Sequence, residues 1–316
     1  MVIISVLISL STLFYLLGKS AGLVIDNIRI IAEKLGIRVF FLGLILGIFT
    51  SLPELAIGVN AVINNVPSIA VGNLMGEIIV LFSLVLGLGV VLNRKIASSE
   101  KINSFILIFI YLLLPLFLGI KGYLGPKQGI VLIIFYFLLI FYLYRHQKHY
   151  NFFTGVAVIK NERLLKNVFL TIVGVALTVV ISNVIIRLSG ILLSNWRFSP
   201  FVIGLIFFSI GTSLPEIAVT LKSWRRNIKE LSISNLIGSA IANILVLGFL
   251  VFIRPINLEI NLSYYILLIF MVLLFSLILV FYRTGWRLVT WEGWVLIAIY
   301  LLFIFSQIIF SFPIIS

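Results

Sequence analysis

The chain has 316 residues, of which 62% are hydrophobic and only 10% charged, with no cysteine. Soluble domains are nearer half apolar and about a quarter charged, so a water-soluble fold is excluded, and so are disulfides, thiolate metal sites and cysteine nucleophiles. The net charge of +13 then reads as basic loops facing the cytoplasm and anionic lipid. The lipid bilayer is the partner, with no nucleic acid and no obligate protein partner evident.

Runs of about 20 apolar residues cross a bilayer as helices. Ten are predicted, near 2–18, 39–61, 68–92, 103–120, 128–144, 167–188, 199–221, 231–253, 261–282 and 291–312. They are solidly apolar rather than alternating, which argues against barrel strands. The opening 20 residues carry no basic n-region or small-residue cleavage site, so they read as a retained span and not a signal peptide. The polar stretch Arg145 to Lys166 divides the spans five and five. The expected organisation is a first five-helix repeat over 1–145, a cytoplasmic linker over 146–166 and a second five-helix repeat over 167–316.

Sorting Lys and Arg by loop gives an orientation. With the N-terminus outside, 18 fall in cytoplasmic loops, among them Lys19, Arg29 and Lys34, and 5 fall outside: Lys121, Lys127, Arg187, Arg197 and Arg254. The positive-inside bias predicts that both termini are outside, in a multi-pass protein of a prokaryotic plasma membrane. Five spans per half turn the second half upside down relative to the first. The expected fold class is an all-α polytopic membrane protein, with ten transmembrane helices in two inverted five-helix repeats.

The halves share sequence. Thr50-Ser51-Leu52-Pro53-Glu54 recurs as Thr212-Ser213-Leu214-Pro215-Glu216, an offset of 162 residues. At the same offset, Gly72-Asn73-Leu74-Met75-Gly76-Glu77 answers Ser234-Asn235-Leu236-Ile237-Gly238-Ser239. Two motif matches at one offset mark a duplication. The motifs span 47–81 and 209–243.

Glu54, Glu77 and Glu216 lie inside predicted spans, whereas Glu100, Glu162 and Glu230 fall in loops and Glu292 at the start of the last span. A carboxylate at mid-bilayer costs a few kcal/mol and faces a cavity, a partner or a bound ion. Spans 2, 3, 7 and 8 hold no basic residue, so a cation or a proton is the natural counter-charge. Pro53 and Pro215 are expected to free the carbonyls of Phe49 and Gly211 in mid-helix. Thr50 with Glu54, and Thr212 with Glu216, are four residues apart and share a helix face. Each broken helix thus offers the oxygen donors that hard cations such as Ca²⁺ take, roughly six to eight at a time. Asn73 with Glu77, and Asn235, Ser239 and Asn243, form stripes on the companion helices. The glycines equally suit close helix packing, and Asn and Ser equally suit hydrogen bonds between helices.

These residues resemble the cation/Ca²⁺ exchanger superfamily, especially its sodium/calcium exchanger branch, whose repeats read G-T-S-L-P-E and G-N-x-x-G-S-N-x-x-N/D. The resemblance implies that Glu54 and Glu216 are the central Ca²⁺ ligands, with Thr50 and Thr212 beside them. It also implies that Ser51, Ser213 and Ser239, Asn243, and carbonyls near Gly47 and Ser209 serve the site and its flanking Na⁺ positions. The first copy departs from the pattern: Phe49 replaces the motif glycine, Glu77 the small hydroxyl and Leu81 the Asn or Asp. In the second, Ala240 replaces an asparagine. Glu77 makes H⁺ an alternative counter-ion.

The expected function is a secondary active antiporter exchanging Ca²⁺ for Na⁺ or H⁺ by alternating access, with spans 1 and 6 sliding on the core. Alternatives are an exchanger of another divalent or monovalent cation, or a passive cation channel. No cofactor is expected. An intramembrane enzyme lacks its parts: both histidines, His146 and His149, sit in one polar loop, and no span carries a mid-membrane Lys.

Overall fold

The computed structural model describes residues 2–34, 51–97, 102–146, 164–195, 199–214, 217, 229–283 and 287–311. Ten helices run through them: α1 (Val2–Lys34), α2 (Leu52–Ile63), α3 (Pro67–Asn93), α4 (Ile102–Gly119), α5 (Pro126–His146), α6 (Leu164–Asn195), α7 (Pro200–Thr212), α8 (Lys229–Ile253), α9 (Leu262–Arg283) and α10 (Thr290–Ser311). Eight are long and apolar enough to cross a membrane, while α2 and α7 are shorter.

Two helices overrun their expected spans. α1 has 33 residues and α6 has 32, so Lys19, Arg29 and Lys34 are helical and not in a loop, as are Lys166 and Arg187. Hydropathy marks where the bilayer ends, and a helix continues past that point while its hydrogen bonds are made. At about 1.5 Å per residue α1 is roughly 50 Å long against a hydrocarbon core of about 30 Å, so it tilts or projects. Exposed Lys19 lays its ammonium 5.5 Å from the centroid of the Tyr15 ring. Lys229 and Glu230 likewise begin α8. Glu292, expected at the start of the last span, is buried in the first turn of α10, where its Oε2 accepts the Val289 N–H at 2.8 Å.

Two short ribbons display the inversion. β1 (Lys95–Ala97) pairs antiparallel with β4 (Arg287–Val289), and β2 (Tyr123–Leu124) with β3 (Ile256–Asn257). β1 and β2 flank α4, so the ribbons lie at opposite ends of that helix. At the repeat offset β1 corresponds to β3 and β2 to β4, within three residues. Each strand's counterpart therefore sits on the opposite face, which is what an inverted duplication requires. α1 and α6 also run antiparallel, with Ser20 hydrogen-bonded to Thr178 at 2.9 Å and a Cβ on Gly174 placed 3.3 Å from the Val24 nitrogen.

α3 and α8 are the most enclosed long helices, and both pack against α2. Each crosses a helix of the other half through facing glycines. A Cβ on Gly87 of α3 would stand 2.9 Å from the Gly293 oxygen of α10, and one on Gly129 of α5 would stand 2.6 Å from the Gly248 oxygen of α8. Only hydrogen at these positions lets the backbones meet so closely. The crossings are themselves related by nearly the repeat offset.

Candidate functional site

The site forms at the start of α2 and the end of α7. α2 starts at Leu52 with Ser51 as its N-terminal flanking residue (φ −86°, ψ 18°). Pro53 therefore lies in the first turn of α2, where a missing N–H leaves nothing unpaired. α7 ends at Thr212, and Ser213 (φ −73°, ψ −3°) makes the corresponding turn. The chain resumes identically in both halves: Leu55 N–H donates to the Ser51 carbonyl at 3.0 Å, and Ile217 N–H to the Ser213 carbonyl at 2.9 Å. Glu54 thus occupies the first turn of α2, where the positive end of the helix stabilises its carboxylate, and it is buried to 1% exposure.

α3 brings the second set of groups. A Cβ on Gly72 would meet the Phe201 carbonyl and stand 2.9 Å from the Leu205 nitrogen; one on Gly76 would meet the Leu205 carbonyl and stand 2.9 Å from the Ser209 Cβ. Contacts that advance together along both helices mean that α3 and α7 run parallel. At this crossing Thr212 Oγ1 donates to Asn73 Oδ1 at 3.2 Å, which joins the motifs of the two halves directly. Thr212 has the Phe208 carbonyl at 3.1 Å as an alternative acceptor. Ser213 donates to the Ser209 carbonyl at 2.7 Å, and Ser209 to the Leu205 carbonyl at 2.6 Å. A hydroxyl that gives its proton to its own helix turns its lone pairs away from that bond, ready for a cation.

Glu77 (1% exposed) follows Asn73 by one turn, and α8 adds Ser239 and Asn243, both buried. The Oγ atoms of Ser51 and Ser239, Nδ2 of Asn73 and both amide atoms of Asn243 have no hydrogen-bond partner among the described residues. An unmade buried hydrogen bond costs about 1–3 kcal/mol, so such oxygens favour a bound ion. Among the residues whose side chains are described, no Lys or Arg is buried. Arg254 is engaged at the α2–α3 hairpin, donating to the Val62 carbonyl at 2.8 Å and to Asn65 Oδ1 at 2.7 Å.

Of the expected site residues, the structure places Ser51, Glu54, Glu77, Ser209, Thr212, Ser213, Ser239 and Asn243 on α2, α3, α7, α8 and the turns beside them, all buried. Gly47, Thr50 and Glu216 lie outside the described residues. The sequence reading did not anticipate the π-helical turns at Val80–Val85 in α3 and Gly204–Phe208 in α7, which adjoin Glu77 and Ser209. Each fits one extra residue into a turn, a distortion common at functional sites, and no residue pattern announces it. Asn60 was also missed. Its Nδ2 donates to Ser182 Oγ at 2.7 Å and its Oδ1 accepts from Asn183 at 2.8 Å, tying α2 to α6. A lone Asn in span 2 was its only signal.

The chain is 26% identical to the sodium/calcium exchanger MaX1 of Methanosarcina acetivorans, over 96% of this chain and 98% of that protein. It is 27% identical to the inner membrane protein YrbG of Escherichia coli, over 75% and 76%. Its fold matches the sodium-calcium exchanger NCX_Mj soaked with 2.5 mM Na⁺ and 0.1 mM Sr²⁺, with a TM-score of 0.64 and 26% identity over 97% of this chain and 99% of that one. The sodium/calcium exchanger protein family matches residues 5–145 and 166–309. With two inverted halves, matching turns at Ser51 and Ser213 and a family match across both halves, this chain belongs to the sodium/calcium exchanger family, membrane ion antiporters and not enzymes.

Proposed function

We propose that the protein exchanges Ca²⁺ for a monovalent cation by alternating access, with Ca²⁺ held between Glu54 and Glu216 and flanked by Thr50 and Thr212. Ser51, Ser213, Ser239, Asn243 and the carbonyls of Gly47 and Ser209 complete the oxygen set. The observation that carries this reading is Glu54, buried to 1% exposure at the head of α2, together with the Thr212 to Asn73 hydrogen bond that joins the motifs of the two halves. Strontium and sodium in the NCX_Mj crystals, and the name of MaX1, agree with such a site. Both termini lie outside a prokaryotic plasma membrane, and the two halves are 1–145 and 167–316 with a cytoplasmic linker between them. An empty site carries the negative charge of its carboxylates and resists reorientation, and cation binding removes that penalty. Exchange then prevails over leak.

The counter-ion is Na⁺ or H⁺. Glu77, a carboxylate in place of a small hydroxyl, favours H⁺, because a proton is the smallest charge that neutralises a third acid. The test is Ca²⁺ uptake into proteoliposomes driven separately by a Na⁺ gradient and a pH gradient. Uptake that saturates and needs the counter-ion supports antiport over a channel, and no uptake under either gradient overturns the Ca²⁺ assignment. Unchanged pH-driven flux in Glu77→Gln rules out the proton role.

A further inference from the structure

We infer that Phe14 of α1 is a removable plug over the ion site, seated in the notch that the motif glycine Gly211 leaves. The inference rests on the exchange reading above. A Cβ on Gly211 would stand 2.5 Å from three atoms of the Phe14 ring, so the ring occupies the space of the missing side chain. The next two residues are Thr212 and Ser213, and Ser213 is fully buried. Phe208, one turn earlier on α7, meets the same ring edge-on, with centroids 5.5 Å apart and planes at 88°. Phe14 is 5% exposed and Phe208 is fully buried, so the two aromatics and the glycine close one dry contact between α1 and α7.

The plug also accounts for an odd feature of the repeats. The bounds of α1 and α6 obey the 162-residue offset, with Val2 answering Leu164. At that offset Phe14 answers Ala176, and Gly211 answers Phe49. The sizes are exchanged: a ring on the outer helix with glycine in one motif, alanine on the outer helix with a ring in the other. By sequence, Phe49 and Ala176 invert the sizes of Gly211 and Phe14, so each such pair of positions carries one ring, and both rings belong to the first half. Because Phe14 is carried by α1, it leaves the site when α1 moves with α6.

The natural absence of cysteine makes the test direct. Ser213→Cys is introduced into the full chain in vesicles, alone and with Phe14→Ala, and exposed to a membrane-impermeant maleimide. Phe14→Ala is expected to raise the labelling rate about tenfold, the size of a modest population shift. Gly211→Ala, which pushes the ring off its seat, is the second variant and raises labelling in the same direction. Equal labelling rates in variants that keep the parent's melting temperature overturn the plug. Ca²⁺ uptake by the unsubstituted chain runs in parallel: its absence sinks the exchange reading, whereas unchanged labelling sinks only the plug.

Discussion

The two repeats agree at their breaks and differ in their companion helices. α2 starts after Ser51 as the chain turns at Ser213 after α7, with matching hydrogen bonds. By contrast, α3 carries Glu77 and Leu81 and passes through a π-helical turn, whereas α8 carries Ser239 and Asn243 and stays α-helical from Lys229 to Ile253. The shared part holds the groups assigned to the divalent ion. The divergent part holds those that would choose its counter-ion. Duplication thus keeps the costly element twice and lets the companion helix vary.

Four variants and one control test that contrast. Glu54→Gln attacks the shared part and should weaken Ca²⁺ binding by about a hundredfold, or ~3 kcal/mol, by calorimetry; a much smaller loss would separate the breaks from the ion. Gly72→Ala attacks the α3–α7 crossing, where Ser234 stands at the repeat position in α8. Its methyl would meet the backbone of Phe201 and should destabilise by about 1–3 kcal/mol, read as a lower Tm in detergent. Gly22→Ala, with nothing within 4 Å, is the matched control and should leave Tm unchanged. Moving the acid between repeats, Glu77→Ser with Ser239→Glu, should change the ratio of pH-driven to Na⁺-driven Ca²⁺ flux by about tenfold if the position of the carboxylate sets the counter-ion. Asn60→Ala removes the α2–α6 hydrogen bonds, worth about 0.6 kcal/mol each in a membrane, and should alter apparent Ca²⁺ affinity a few-fold, unequally from the two faces.

Much of this architecture is legible in the residues. Ten spans, the break motifs and the duplication follow from hydropathy and a single offset, and the odd span count gives the inversion. Helix ends are less legible, because Lys19 and Arg29 stop a hydropathy run without stopping a helix. Pro53 reads as a mid-helix kink, but the structure uses it at a helix start, where the same chemistry is favourable. Gly87 against Gly293, and Gly129 against Gly248, are contacts between residues far apart in the chain. Each glycine alone is ambiguous, and only the folded crossing pairs them. Among site residues, Glu54 stands out from sequence by the rarity of buried acids. The direct Thr212 to Asn73 bond joins two motifs that the repeat pattern lists as separate.

The exchanged ribbons have a consequence for ancestry. β1 and β2 both belong to the first half, yet each finds its partner in the second. A chain consisting of one half would leave both strands unpaired unless it met a copy of itself inserted upside down. The gene that was duplicated would then have encoded a protein that entered the membrane in both orientations. Fusion through an even-numbered set of spans per half would have ruined that match, and five preserved it.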